Sequence, residues 1–162
     1  MEIYLLRHAS AEGRAASGRD ADRRLTPDGI ADLRSVLNLA RQAGASVSAI
    51  LASPYARALE TARIAAEALD CSSEIMRSTA LEPESSPERL WDELRAHAAV
   101  APVLVVAHEP LLSSTIAWML GSTRAMVRFV PASMARIEVG ALGAEPSGVL
   151  RWLINPDFAS GA

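Results

Sequence analysis

The chain has 162 residues, half of them hydrophobic and 22 % charged, with nine Gly and nine Pro, which suits a single domain over 1–162, domains usually running to roughly 100–200 residues. Sixteen basic residues, every one of them Arg, face nineteen acidic ones for a net charge of −3; that balance argues against a nucleic-acid or membrane-surface protein and leaves guanidinium, imidazole and backbone N–H groups as the materials for any anion site. The lone Cys71 has neither a second thiol nor a His cluster beside it, the run Met1–Leu6 is too short for a signal peptide, and no apolar run approaches a membrane span, so the expected location is the cytoplasm.

In chain order, short β-branched runs alternate with segments of helical period, the pattern of an α/β domain built on a largely parallel sheet. Ile3–Leu6 reads as the first strand, and the polar stretch from Ala9 to Leu25 as a long loop. Thr26-Pro27 starts a helix, with Thr as N-cap and Pro at the first position; Leu33, Val36, Leu37 and Ala40 form its apolar face, and Gly44 stops it. Val47–Ala52 is a second strand, after which Ser53-Pro54 begins a helix reaching about Leu69. Glu74–Arg77 is a weaker third strand, and Ser86-Pro87 opens a helix with Leu90, Trp91 and Leu94 on one face. Pro102–Ala107 is apolar throughout, as a central parallel strand should be. Pro110 begins a fourth helix that ends at Gly121. Ser133–Val139 and Val149–Ile154 alternate apolar with polar residues and read as a hairpin that adds an antiparallel edge.

The placement of reactive groups is the informative feature. Arg7-His8 follows the first strand, Ser53–Arg57 the second, Glu82 the third and His108-Glu109 the fourth. All four places lie beyond the carboxyl ends of strands read as parallel, the edge at which open α/β sheets bind ligands. Two Arg, two His and a carboxylate suit a tetrahedral dianion, because guanidinium forks donate bidentately to phosphate oxygens and imidazole can donate or attack. The N-terminus of the Pro54 helix would add backbone donors. With no Lys, no metal-spaced cluster and no Gly-rich phosphate loop, a kinase fits poorly, whereas phosphoryl transfer to a His side chain fits well. Read singly, the same residues have plainer roles: Glu60 could pair with Arg57 on the helix surface, and His97 is a helix-end histidine. Trp91, Trp118 and Trp152 read as packing residues.

Leu5-Leu6-Arg7-His8-Ala9 resembles the Arg-His-Gly signature of the histidine phosphatase superfamily, whose fold is called phosphoglycerate mutase-like. Leu25-Thr26-Pro27-Asp28-Gly29 resembles its Leu-Thr-x-x-Gly helix start, Ser53 to Thr61 its Ser-Pro-x-x-Arg-Ala-x-x-Thr segment, and Val105–Pro110 its second His motif. Four motifs in register carry the resemblance from Leu5 to about Pro110. It implies a three-layer α/β/α sandwich in which His8 is the nucleophile and becomes a transient phosphohistidine, with Arg7, Arg57 and His108 on the phosphoryl oxygens and no metal or other cofactor. The attacking imidazole must be neutral; neighbouring Arg charges lower its pKa, and a hydrogen bond from its other nitrogen would fix the tautomer. The family's acid follows the third strand, which points to Glu82, with Glu84, Glu12 and Glu109 as further candidates.

Two departures bear on function. Ala9 stands where the signature has Gly and puts a methyl near the phosphate approach, a variant the small SixA-type phosphohistidine phosphatases tolerate better than the sugar-phosphate mutases. The polar first-loop residue of many relatives is missing, with Ser17, Arg19 or Arg14 as substitutes. Mutases of this fold insert a helical lid after the third strand, whereas only a short loop separates Arg77 from Pro87. An open pocket suits a phosphorylated side chain on another protein, such as a histidine-containing phosphotransfer protein. The alternatives are a small phosphorylated substrate, hydrolysed by a phosphomonoesterase of the same fold, and a phosphate-binding module without catalysis. The sequence gives no oligomeric state.

Overall fold

A computed structural model describes residues 1–123, 127–140 and 142–159. Among them are the strands β1 (Glu2–Arg7), β2 (Ala49–Ala52), β3 (Ile75–Arg77), β4 (Val103–Ala107), β5 (Met134–Val139) and β6 (Gly148–Ile154). The helices are α1 (Pro27–Gln42), α2 (Ala56–Ala68), α3 (Pro87–Ala96), α4 (Leu111–Met119) and α5 (Pro156–Ala159). The strands form one sheet in the order β3-β2-β4-β1-β5-β6. β3, β2, β4 and β1 run parallel, while β5 is antiparallel to β1 and β6 to β5. This is the three-layer, mostly parallel arrangement with an antiparallel C-terminal edge that the sequence predicts.

The period of two explains why the central strands are apolar throughout. Tyr4 and Leu6 of β1, with Leu104 and Val106 of β4, face one core that includes Leu33, Val36, Leu37 and Ala40 of α1 and Ala58, Ala62 and Ala65 of α2. Ile3 and Leu5, with Val103 and Val105, face the opposite core under Leu90, Trp91 and Leu94 of α3 and Leu112 and Ile116 of α4. Each fully buried Leu or Ile contributes about 1.5–3 kcal/mol relative to exposure, so the sheet is held from both sides.

Helix α1 starts as the sequence predicts, with the Thr26 hydroxyl accepting from Gly29 N at 3.1 Å and Pro27 at the first position. Gly29 has a second role, because a Cβ there would collide with Ser10 O and lie 2.9 Å from Ser10 N. The close approach lets Thr26 N donate to Ser10 O at 2.9 Å and so pins the long first loop against the helix start.

Several boundaries differ from the sequence reading by one or more residues, and one helix is added. Helix α2 begins at Ala56, with Tyr55 as an extended N-cap, and not at Ser53-Pro54. Ser53 N still reaches across to Val106 O at 3.0 Å, and its hydroxyl is engaged elsewhere, so neither group serves the helix. Strand β2 begins at Ala49 because Ser48 N and Ala49 N both turn to Pro102 O. The short helix α5, which packs against α1, follows β6 where no helical period is long enough to announce it.

Candidate active site

Parallel pairing of β1 with β4 sets Arg7 opposite Ala107, and pairing of β2 with β4 sets Ala52 opposite Val106. The three chains therefore leave the sheet at one edge and one level. His8 N donates to Ala107 O at 3.0 Å, and the His8 and His108 rings lie 4.9 Å apart. Arg57, in the first turn of α2, is 5 % exposed and donates from Nε to His8 Nε2 at 3.3 Å. Arg7 ends β1 and donates from Nη1 to Phe129 O at 2.8 Å. The structure thus brings together Arg7, His8, Arg57 and His108.

The bonds of His8 define its protonation. Nδ1 lies 2.8 Å from the Ala9 carbonyl, which can only accept, so Nδ1 carries the proton. Nε2 accepts from Arg57 and therefore presents a lone pair. Burial pushes the His8 pKa down to about 4, the Arg57, Arg7 and Arg23 charges add to the depression, and the bond to Ala9 opposes it. Ala9 itself is fully buried within the core on the α1 and α2 side. Its N–H donates to Thr61 Oγ1 at 3.1 Å, and Thr61 Oγ1 donates to Arg57 O at 2.7 Å. The residue after the histidine is thereby tied to the helix that carries Arg57.

His108 is 2 % exposed and its Nε2 lies 2.8 Å from Ser53 Oγ. A hydroxyl can accept from Tyr55 N, at 3.5 Å, and give its own proton to His108 Nε2, and we assign that arrangement. Nδ1 then carries the His108 proton, and that atom is buried with no hydrogen-bond partner among the described residues, as is Arg7 Nε. Burial is also the main cause that holds the His108 pKa down at about 3, with the His8 and Arg57 charges adding to it. Two orphaned donors beside a lone pair form a site that favours a multiply charged oxyanion. No group of three or more His, Cys, Asp or Glu among the described residues is placed to hold a metal ion.

The other expected residues fall around this centre. Glu82 lines a groove of about 360 Å³ with Arg19, Asp22, Tyr55 and Leu59, and its carboxylate makes no hydrogen bond to His8, Arg57 or His108. Glu84 is exposed, and with Glu82 it adds to the upward shift that burial gives the Tyr55 phenol. Glu12 is turned away, accepting from Arg24 N at 3.2 Å. Glu109 caps α4 by accepting from Ser113 N at 2.9 Å, near enough to offset part of the burial that pushes Arg7 down. Ser17 donates to Asp22 Oδ2 at 2.7 Å and Arg19 lies 3.6 Å from the same oxygen, so both are tied to Asp22 and not to the histidines. Arg14 shares a small pocket with Arg19, Asp20 and Arg23. Glu60 pairs with Arg24 and accepts from Leu25 N at 2.8 Å, which leaves Arg57 to the site. His97 sits at the C-cap of α3 with Nδ1 2.9 Å from Glu93 O.

Sequence reasoning missed Asp20 and Tyr55. Asp20 Oδ2 accepts from Arg57 Nη2 at 3.0 Å and its carbonyl accepts from Nη1 at 2.9 Å. The Arg57 guanidinium lies 4.9 Å from the centre of the Tyr55 ring, which meets His108 edge-on. Asp20 belongs to a loop without periodicity, so nothing in the chain order marks it as a partner of Arg57. Tyr55 stands inside the Ser-Pro-x-x-Arg segment, at a position the motif leaves open.

The chain is similar to known proteins along nearly its whole length. The model of the histidine phosphatase superfamily (branch 1) matches residues 3–81. The phosphohistidine phosphatase SixA of Escherichia coli is 28 % identical over 163 residues, covering 96 % of this chain and 94 % of that protein. An uncharacterized protein of a Picosynechococcus species is 33 % identical over 111 residues, 68 % of this chain and 67 % of its own length. Among solved structures, the protein histidine phosphatase SixA complexed with tungstate superposes with a TM-score of 0.85 at 25 % identity, covering 97 % of this chain and 98 % of that one.

Proposed function

The chain belongs to the histidine phosphatase superfamily and is a phosphatase of that kind, and on this premise we propose that it removes the phosphoryl group from phosphohistidine on a signalling or phosphotransfer protein, by way of a phosphohistidine on His8. The observation that carries the reading is the protonation of His8, with Nδ1 anchored as a donor and Nε2 left unprotonated, its lone pair accepting from Arg57 Nε until the phosphoryl group arrives. A pKa near 4 keeps the ring neutral throughout the neutral range. In the first step the Nε2 lone pair forms the new bond to phosphorus, the bond from phosphorus to the substrate nitrogen breaks, and the departing imidazole takes a proton. In the second, water gives a proton to the carboxylate left by the first step and forms the bond to phosphorus, the bond from phosphorus to His8 Nε2 breaks, and phosphate is released.

Arg7, Arg57 and His108 Nδ1 hold the phosphoryl oxygens in both steps. Charge develops on the equatorial oxygens in the transition state, so donors already fixed by β1, α2 and β4 supply most of the rate. Glu82, in the groove beside Tyr55, is the proton donor to the leaving group. Support for a protein substrate comes from the open groove, from the short connection between β3 and α3, and from the likeness to SixA along nearly the whole chain. The Glu82 carboxylate also favours a second reading, a small-molecule phosphomonoesterase, because an alkoxide needs an acid more than imidazole does.

The test uses a phosphorylated histidine-containing phosphocarrier, p-nitrophenyl phosphate and sugar phosphates under identical conditions. The wild type should release phosphate fastest from the phosphocarrier and become transiently labelled, while His8→Ala does neither. Full turnover by His8→Ala would refute the mechanism, and a preference for sugar phosphates would refute the substrate.

A further inference from the structure

All three nitrogens of the Arg57 guanidinium are engaged within the protein. Its Nε is on His8, and Nη2 and Nη1 are both on Asp20. Nε and Nη2 form one edge of the guanidinium, the edge whose two parallel N–H bonds match two oxygens of one phosphoryl group. The Asp20 carboxylate therefore stands next to the nucleophile's lone pair, on a donor that a bound phosphoryl group needs. Building on the phosphatase reading of this site, we propose that Asp20 is an internal anion that competes with the substrate for Arg57, so that the phosphoryl group displaces it on binding and the carboxylate returns as phosphate leaves.

Four further observations fit this exchange. Arg57 is almost wholly buried, and a buried guanidinium without an anion is costly, so Asp20 supplies the partner in the resting enzyme. The Asp20 side chain is 58 % exposed and its other oxygen is held by Arg23 at 2.8 Å, so on leaving Arg57 it stays paired and solvated. The single turn Asp20–Asp22 contains no buried residue, so its displacement disturbs no core. Hydrogen bonds from Arg23 and Arg57 hold the Asp20 carboxyl below the usual carboxylate range, which makes it an anion wherever the phosphatase would work. Asp20 acts through Arg57 as an affinity-setting residue, which keeps free phosphate from resting in the site between turnovers.

The experiment is calorimetric titration of inorganic phosphate and of tungstate into the wild type, Asp20→Asn, Asp20→Ala and Asp22→Asn. Loss of one charge-assisted competitor should tighten binding about tenfold in both Asp20 variants. A gain in affinity is a result that simple damage to the loop does not produce. Asp22→Asn removes the same charge from the same turn but from a carboxylate that faces Ser17 and Arg19, and should change affinity less than about twofold. With p-nitrophenyl phosphate, KM should fall in the Asp20 variants. Unchanged or weaker anion binding in both Asp20 variants overturns the inference, and so does an equal gain in Asp22→Asn. A tenfold loss of kcat at unchanged anion affinity also overturns it, since Asp20 would then be handling a proton. If neither the wild type nor any variant binds phosphate, the reading of the phosphoryl site itself falls; if the wild type binds and the variants show no gain, only the role of Asp20 does.

Discussion

The neutral state of the two buried histidines is measurable as acid instability. In the unfolded chain a histidine titrates near its ordinary value of about 6.5, whereas in the fold burial brings His8 to about 4 and His108 to about 3. Between those values the unfolded chain binds the protons, so acid favours unfolding. The stability that the neutral rings contribute is fully present above the unfolded value and is lost as pH falls toward the folded ones. Integration from about pH 7.5 to about pH 4.5 gives a loss of about 2–3 kcal/mol for each histidine. The two losses are not additive, because a charged His8 pushes His108 further down. The assay is urea denaturation over this range for the wild type, His8→Gln and His108→Gln. Carboxylates are common to all three proteins and largely cancel in the differences, so each variant should gain on the wild type by about 2–3 kcal/mol as the pH is lowered. Parallel curves for wild type and His8→Gln would mean that His8 is not held neutral by the fold, and the case for a ready nucleophile would fail with it.

Two further substitutions test the scaffold. Gly29→Ala places a Cβ against the Ser10 backbone, so it should cost about 1–3 kcal/mol in denaturant midpoint analysis and loosen the first loop, seen as faster hydrogen exchange at Thr26 N. An unchanged midpoint would show that the loop can retreat freely. Ser53→Ala removes the donor to His108 Nε2, and should lower stability by about 1–3 kcal/mol and weaken phosphate binding, because the ring is then free to move its proton away from Nδ1. Phosphate titration of this variant reads that effect directly, and undiminished affinity would count against the assigned tautomer.

The strand ends were legible because each apolar run stops at a charged or polar residue, and parallel pairing then brings those stops together at one edge. Thr26-Pro27 and Ser86-Pro87 marked helix starts because both serve the helix locally, as hydroxyl cap and first-turn proline. Ser53-Pro54 carries the same letters and misled for a physical reason, since its hydroxyl is spent on His108, a partner 55 residues away. Similarly, the methyl of Ala9 reads as an obstacle to phosphate only while its direction is unknown; in the fold Ala9 is part of the core. Ser17 and Arg19 were reasonable first-loop choices by composition, yet the loop closes on itself through Asp22. The loop residue that meets Arg57 is Asp20, an acid, whereas a search for phosphate ligands looks for donors.

Strand β1 lies between β4 and β5, with His8 O accepting from Ala132 N and Arg7 N donating to Ser133 O. The segment that carries His8 therefore waits long for its second neighbour, since that flank is made by residues more than 120 positions later. Contacts of such sequence separation form late and slowly, and while they are missing an edge of Leu and Ile residues is open to other chains. Synthesis halted after β4 would leave Arg7 without the Phe129 carbonyl and His8 without its second flank. The surroundings of Arg7 and His8 are therefore complete only once residues 129–133 have been made and paired, which couples the arrangement of these two side chains to a late stage of folding.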